Sequence, residues 1–329
     1  MKTILTGVKP TGMPHLGNYI GAMKPAIQES NSEGNQTLLF IADYHSLTSI
    51  HDGTVIKGHT YQVAAVWLAC GLNPKKSFIY RQSDIPEIFE LAWILSCFTP
   101  KGFMNRAHAY KDKVQKNKDE GKSEPDFGVN MGLYNYPVLM AADILMFNAD
   151  IVPVGPDQTQ HIEFARDIAQ KFNNAYGEII KIPEGRSTTG SVPGIDGRKM
   201  SKSYDNHIPL FMEPKKQRKI IMKIKSDSSP PEAPKDPKES LIFDIHKEFL
   251  TKSEQEELAD KYREGCGWGE AKQWLFDTVE TELADKRAKY DELMADTSQL
   301  DVILAEGAKR TREIAVPLME KIRKAVRGS

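Results

Sequence analysis

The chain is short of the residues that make a chemistry easy to guess. Its 329 residues include three cysteines, Cys70, Cys97 and Cys266, far apart and with no C-x-x-C spacing. That argues against a disulfide scaffold, an iron–sulfur cluster and a structural zinc site. Three buried thiols in a reducing compartment are the expectation. No apolar run approaches the roughly 18 residues of a membrane span, and no leader is expected ahead of the strand-like Thr3-Ile4-Leu5. A cytoplasmic location is expected. An excess of one charge is also missing: 44 Lys and Arg face 45 Asp and Glu, a net charge of -1. No global field draws the molecule to nucleic acid, so an RNA contact must use a local patch. There is no internal repeat.

Two familiar nucleotide motifs are absent as well. Gly7 and Gly12 have the four-residue gap of a P-loop, but Met13 and Pro14 stand where Lys and Ser/Thr are required. The same turn is not G-x-G-x-x-G, which weakens a dinucleotide reading.

What is present is an alternation of two periods. Short apolar runs at 3–8, 37–42, 77–81 and 151–155 read as buried strands, and 17–30, 54–70, 86–98 and 135–148 have helical spacing. Strands alternating with helices predict an α/β domain built on a parallel sheet covered on both faces. The segment 158–173 is amphipathic, with Ile162, Ala165, Ile168, Ala169 and Phe172 on its apolar face and Asp157 placed as N-cap. Charged residues 111–122, within a helical stretch near 100–125, form an exposed excursion. The proline-rich stretch 226–239 reads as a linker or ordered loop, and only helical periodicity follows it. The expected division is 1–205 for the α/β domain and 206–329 for an all-helical C-terminal domain. The last segment, near 300–327, carries Ile314, Leu318, Ile322 and Ala325 on one stripe. Its basic face holds Lys309, Arg310, Arg312, Lys321, Arg323, Lys324 and Arg327.

Two short stretches carry the chemistry. Pro14-His15-Leu16-Gly17-Asn18 follows the first strand where a helix begins. Free N–H groups and the helix dipole make such a corner an anion site. An imidazole there can donate to a phosphate oxygen, and Gly17 lets a nucleotide approach the backbone; a histidine that merely caps a turn is the alternative. The second stretch, Lys199-Met200-Ser201-Lys202-Ser203, follows two glycines and has no apolar periodicity. That suits a mobile lid whose ammonium groups stabilise charge on a transferring phosphoryl group; a solvated surface loop is the alternative. Together the two stretches point to attack on the α-phosphate of ATP.

This pair resembles the class I aminoacyl-tRNA synthetase signatures written HIGH and KMSKS. The second is matched letter for letter; the first reads HLGN, with Asn18 for the final histidine. The run from Tyr134 to Gln160, YNYPVLMAADILMFNADIVPVGPDQTQ, is similar to the amino-acid-binding region of bacterial tryptophanyl-tRNA synthetases. The resemblance implies a Rossmann-like catalytic domain, a homodimer, Mg·ATP as cosubstrate and a helical domain that reaches the tRNA(Trp) anticodon. It assigns His15, Lys199 and Lys202 to catalysis. Lys9, Thr11, Gly12, Gly17, Asn18, Gly155, Asp157, Met200 and Ser201 join them around ATP. Leu5, Gly7, His45, Tyr136, Met140, Asp143, Ile144, Val152, Val154 and Gln158 would surround tryptophan. No dedicated metal site on the protein is expected. Four positions depart from the family: Lys9 replaces a common glutamine, Leu5 a phenylalanine, His15 a threonine, and Pro156 an acidic residue.

Asp143 can be judged from its own neighbours. Helical spacing surrounds it with Leu139, Met140, Met146 and Phe147, so it faces the interior. A buried carboxylate needs a partner. An indole N–H would serve, since tryptophan is a donor only. A structural aspartate bonded to backbone or to an arginine is the alternative, and spacing alone leaves both open. The resemblance favours the pocket role, and such a pocket would reject phenylalanine strongly without an editing domain. The implied reaction is activation of tryptophan as its adenylate with release of pyrophosphate, then transfer to a ribose hydroxyl of tRNA. Tyrosyl-tRNA synthetase, a small-molecule adenylyltransferase and a non-catalytic paralogue that binds tryptophan or RNA are the competing readings.

Overall fold

The computed structural model describes residues 2–155, 158–187 and 192–328. Five parallel strands form one sheet: β1 (Lys2–Val8), β2 (Asn35–Ile41), β3 (Phe78–Arg81), β4 (Ile151–Val154) and β5 (Glu184–Ser187). Their spatial order is β3-β2-β1-β4-β5, and Ile4 of β1 stands opposite both Thr37 and Ile151. Strand order therefore reverses between β1 and β4, and a crevice outside the carboxyl ends of these strands is where such sheets bind ligands.

The crossovers are helical. Helix α1 (Leu16–Asn18) runs through a π-turn at Tyr19–Met23 into α2 (Lys24–Asn31). Then come α3 (Gly53–Ala69), α4 (Pro86–Ser96), α5 (Lys101–Met104), α6 (His108–Asp119), α7 (Met131–Leu145) and α8 (Thr159–Tyr176). The helical part holds α9 (Pro214–Ile221), α10 (Leu241–His246), α11 (Lys252–Glu264), α12 (Trp268–Ala295) and α13 (Ser298–Arg327). None of the helices among the described residues is long and apolar enough to cross a membrane.

Central strand β2 shows why the strands read as continuous apolar runs. Leu39 and Ile41 enter a core with Trp67, Val63 and, from the helical region, Leu275 and Leu304. Leu38 and Phe40 point the other way, toward Tyr80, Leu145, Phe172 and Leu318. Side chains alternate across a strand, and both faces are covered, so both sets must be apolar.

The helical region packs directly on the sheet. Helix α12 lies against α3 and α9, and α13 lies against β3 and α4. Gly307 of α13 sits so close to β3 that a Cβ there would fall 1.8 Å from the Ile79 carbonyl oxygen. The basic face of α13 is accordingly not all solvated. Arg310 lies over the Phe78 ring and donates to the Pro74 carbonyl, while Arg312 pairs with Glu87 and Arg323 with Glu90.

Some expectations need correcting and others gain detail. The helix expected at 17–30 is divided by the π-turn, because Pro25 has no N–H to continue an α-ladder. Strand β5 was not expected: its sequence, Glu-Gly-Arg-Ser, has no apolar run. The residue flanking α8 is Gln158; Asp157, expected as its cap, lies outside the described residues, as does Pro156. Cys70 and Cys266 are buried, but Cys97 ends α4 on the surface and is exposed. The excursion is a helix, α6, anchored by buried Asn117 through its bonds to the carbonyls of Pro125 and Phe127. The proline-rich loop is ordered around buried Lys235, whose ammonium donates to three of the loop's carbonyls.

Candidate active site

Four of the five strands deliver a candidate side chain just beyond their carboxyl ends. After β1 the chain turns through Gly12, which has a φ of +88° that only glycine adopts without strain. His15 then caps α1. Its Nδ1 accepts from the Asn18 amide at 3.2 Å while the Asn18 Oδ1 accepts from the His15 amide at 3.1 Å. That reciprocal bond fixes the tautomer. With Nδ1 as acceptor, a neutral imidazole carries its proton on Nε2, the donor face a phosphate oxygen requires. Burial, helped by His207, Lys202 and Lys199, depresses His15 to about 4. The ring is therefore neutral near pH 7.

The lysine loop lies against this corner. The Lys202 Nζ donates to the Thr11 carbonyl at 2.9 Å, and the Gly17 amide donates to the Met200 Sδ at 3.3 Å. Burial lowers the Lys202 ammonium from its ordinary value. The Lys199 charge reaches the His15 ring. A strand-like bridge continues the junction: Leu16 donates to the Ile208 carbonyl and Leu210 to the Pro14 carbonyl, both at 2.9 Å. The His15 imidazole and the Lys202 ammonium thus share one corner, and the Lys199 charge acts on the same ring.

Buried Asn206, which the sequence reading did not single out, organises the loop. Its Oδ1 accepts from the Ser201 amide at 2.8 Å. Its amide donates to the Asp196 carboxylate at 2.7 Å and to the Lys199 carbonyl at 3.1 Å. Gly194 makes room for it, since a Cβ there would lie 2.4 Å from the Asn206 carboxamide. The Ser201 hydroxyl accepts from the Ser203 amide, closing the turn at Lys202–Tyr204.

The amino-acid end centres on Asp143 of α7, which is fully buried. Among the described residues its partners are neither backbone nor arginine. His45 Nε2, after β2, lies 2.9 Å from Oδ2. The Gln82 carboxamide, after β3, donates to Oδ1 at 2.8 Å and to Oδ2 at 2.9 Å. Burial pushes the carboxyl above its ordinary range, and these two partners pull against that rise. A carboxylate accepts at about four positions, so three such contacts leave capacity for one more donor. Gln82 was also missed. The signal was available: a polar residue immediately after a buried strand, at the edge where parallel sheets bind ligands.

The other expected residues distribute as follows. Tyr136 sets its hydroxyl 3.2 Å from His161 Nε2 and its ring edge-on to His45. Burial raises the Tyr136 phenol to about 12, so it stays protonated. His45 and Tyr136 share a wall of a cleft of about 510 Å³ with Tyr44, Thr48, Asn130 and Leu139. Met140 and Val154 are half-buried beside this core, while Leu5, Ile144 and Val152 are buried within it. Gly7 meets the Phe40 ring, where a Cβ would come within 2.3 Å. Lys9 donates to the Thr48 hydroxyl at 3.0 Å. After β4 the Gln158 amide donates to the Gly155 carbonyl at 2.9 Å.

Known proteins resemble this chain over nearly its whole length. The model of the family described as "tRNA synthetases class I (W and Y)" matches residues 1–284. A tryptophan–tRNA ligase of Neisseria meningitidis is 51% identical, over 99% of this chain and 97% of that one. One of Pseudomonas putida is 49% identical, over 98% and 73%. A crystal structure of a Campylobacter jejuni tryptophanyl-tRNA synthetase, complexed with ADP and tryptophan, superposes with a TM-score of 0.89. It is 46% identical, and the match covers 98% of this chain and 99% of that one. With an imidazole, two lysines and a buried carboxylate gathered beyond one parallel sheet, the chain belongs to the class I tRNA synthetases for tryptophan and tyrosine.

Proposed function

We propose that the chain is a tryptophan–tRNA ligase. It joins the tryptophan carboxylate to the α-phosphorus of Mg·ATP, releases pyrophosphate, and passes the aminoacyl group to tRNA(Trp). The observation that carries the choice of tryptophan is Asp143, a buried carboxylate with acceptor capacity for one further donor, which the indole N–H would supply. A ring without that N–H would leave a buried carboxylate under-satisfied, and a phenol would bring its hydroxyl to a different place.

In this reading the chain supplies position and charge rather than a nucleophile. The neutral His15 Nε2–H donates to a phosphate oxygen, and the α1 corner receives the triphosphate through its amides. Lys199 and Lys202 meet charge that grows on the pyrophosphate as it leaves. Lys202 already bonds a carbonyl of the same corner, so a small swing brings its ammonium onto the phosphates. Magnesium enters as part of the nucleotide substrate. The donors at this corner are imidazole, ammonium and amide groups, while magnesium prefers carboxylate, phosphate and water oxygens.

Residues 206–329 would carry the tRNA anticodon contact. With Arg310, Arg312 and Arg323 engaged by the Pro74 carbonyl, Glu87 and Glu90, Lys309, Lys321, Lys324 and Arg327 are the exposed cations of α13 that would meet RNA first. A homodimer is supported by an apolar surface around α4. Trp93 is 73% exposed and Met131 67%, and Tyr44, which packs on Phe89 one turn before Trp93, is 46% exposed. These exposed apolar side chains are the candidates for such an interface. Trp93→Glu should yield a monomer by light scattering.

Amino-acid-dependent ATP–pyrophosphate exchange over a panel of amino acids tests the function itself. Exchange driven by tryptophan alone is expected. Exchange driven by tyrosine, or by no amino acid, would overturn the reading.

A further inference from the structure

We infer that Gln82 is a positioning residue for amino-acid discrimination: its buried carboxamide holds the Asp143 carboxylate so that one acceptor position stays aimed at the ring N–H. The inference rests on the proposed role of Asp143.

Gln82 and Asp143 are both fully buried. The Gln82 amide spans both carboxylate oxygens, at 2.8 and 2.9 Å, which defines the plane of the carboxyl group. The turn that presents Gln82 is itself held on both sides. Arg81 bonds Asp84 and reaches across to Asp301 of α13. Ser83 bonds the buried Asp43 through its amide at 3.0 Å and through its hydroxyl at 2.5 Å. Three consecutive residues are therefore tied to three different parts of the fold, and the middle one holds Asp143. A long side chain fixed this way donates with little freedom left to lose on binding.

The other end of the carboxamide separates positioning from packing. The Gln82 Oε1 is buried and has no hydrogen-bond partner. A buried unpaired amide oxygen is destabilising. Turning the amide over would not relieve it, because the oxygen would then face the Asp143 oxygens, acceptor against acceptor. If Gln82 only filled space, an apolar side chain of similar length would serve at least as well. The glutamine makes physical sense where its donor is needed on Asp143.

The test is pyrophosphate exchange by the full-length Gln82→Met variant with two amino acids. One is L-tryptophan; the other is L-β-(3-benzothienyl)alanine, in which sulfur replaces the ring N–H. The expected result is a KM for tryptophan raised roughly tenfold, the scale of one directed hydrogen bond. The KM for the sulfur analogue, the KM for ATP and kcat should stay within about twofold. The preference for tryptophan over the analogue then collapses. Equal losses for both amino acids would indicate a general structural role and overturn the inference, as would no change for either. If the methionine variant does not fold, Gln82→Asn, which keeps the amide but withdraws it by one methylene, is read by the same ratio. A wild-type enzyme that activates tryptophan but shows no preference over the analogue would sink the role of Asp143, and this inference with it. An unchanged ratio in the variant against a clear wild-type preference would sink the inference alone.

Discussion

Met200 and Gly17 touch through an amide–sulfur contact of 3.3 Å, which clasps the lysine loop to the first turn of α1. A Cβ on residue 17 would lie 3.1 Å from His15 Nδ1 and 3.3 Å from the Met200 Cβ. Gly17→Ala should therefore push the loop and the imidazole apart. The expected effect is a roughly tenfold fall in kcat/KM for ATP, of the order a small misplacement of catalytic groups produces. Tryptophan binding, followed by fluorescence titration, should stay within about twofold. Unchanged exchange kinetics would show that the loop does not act from this position.

Lys199→Ala and Lys202→Ala should each slow adenylate formation by about 10²- to 10³-fold, the usual loss on removing one donor to a developing charge. In the proposed mechanism they act only on charge that develops in the transition state, so the dissociation constant for tryptophan should not move. Rapid-quench measurement of the adenylate, alongside equilibrium binding, separates the two. Parallel loss of rate and binding would contradict the role assigned to the lysines.

Asp143→Ala strips His45 and Gln82 of their common acceptor inside the core. Two buried polar groups left unpaired should lower stability by about 1–3 kcal/mol. The KM for tryptophan should rise about 100-fold or more, while that for ATP is unaffected. Chemical denaturation and exchange kinetics on the same preparation read both effects. A folded variant with normal tryptophan affinity would remove Asp143 from the pocket.

Acid should weaken the fold through its buried histidines. His246, which lies 2.8 Å from the Thr278 hydroxyl, is pushed by burial from 6.5 to about 4, and His15 is likewise depressed to about 4. The unfolded chain takes up these protons near pH 6.5 and the folded chain only near 4. Between those values the unfolded state binds more protons, so stability is intact above about pH 6.5 and declines as pH falls toward 4. The loss of melting temperature between pH 7 and pH 5 should be smaller in His246→Gln than in wild type. Equal losses would mean that His246 takes up its proton without unfolding.

Much of this was legible in the sequence because burial on both sheet faces leaves a plain pattern. The apolar runs that became β1 to β4 and the stripe of α8, from Ile162 to Phe172, are statements about area removed from water. The same reasoning turned Asp143 inward. What it could not see were partners set by long-range geometry. Gln82 is 61 residues from Asp143, and Asn206 bonds its loop through a carboxamide that any surface asparagine would resemble. Strand β5 pairs on one side only, and its Glu-Gly-Arg-Ser sequence carries no apolar signature. The ion-pair partners of the basic stripe of α13 were hidden for a related reason. Arginine has the same letter whether it meets water or Glu87, and only the docking of the helix decides.

The contact of Gly307 with Ile79 bears on how far this polypeptide can be shortened. Strand β3 closes one border of the sheet, and α13 lies on it at backbone distance. Removing the final thirty or so residues would strip Phe78 and Ile79 of their cover and release Arg81 from Asp301, one residue from the amide that steadies Asp143. A premature stop before Ser298 should thus abolish tryptophan activation itself, so an N-terminal fragment ending there is expected to be inactive on its own.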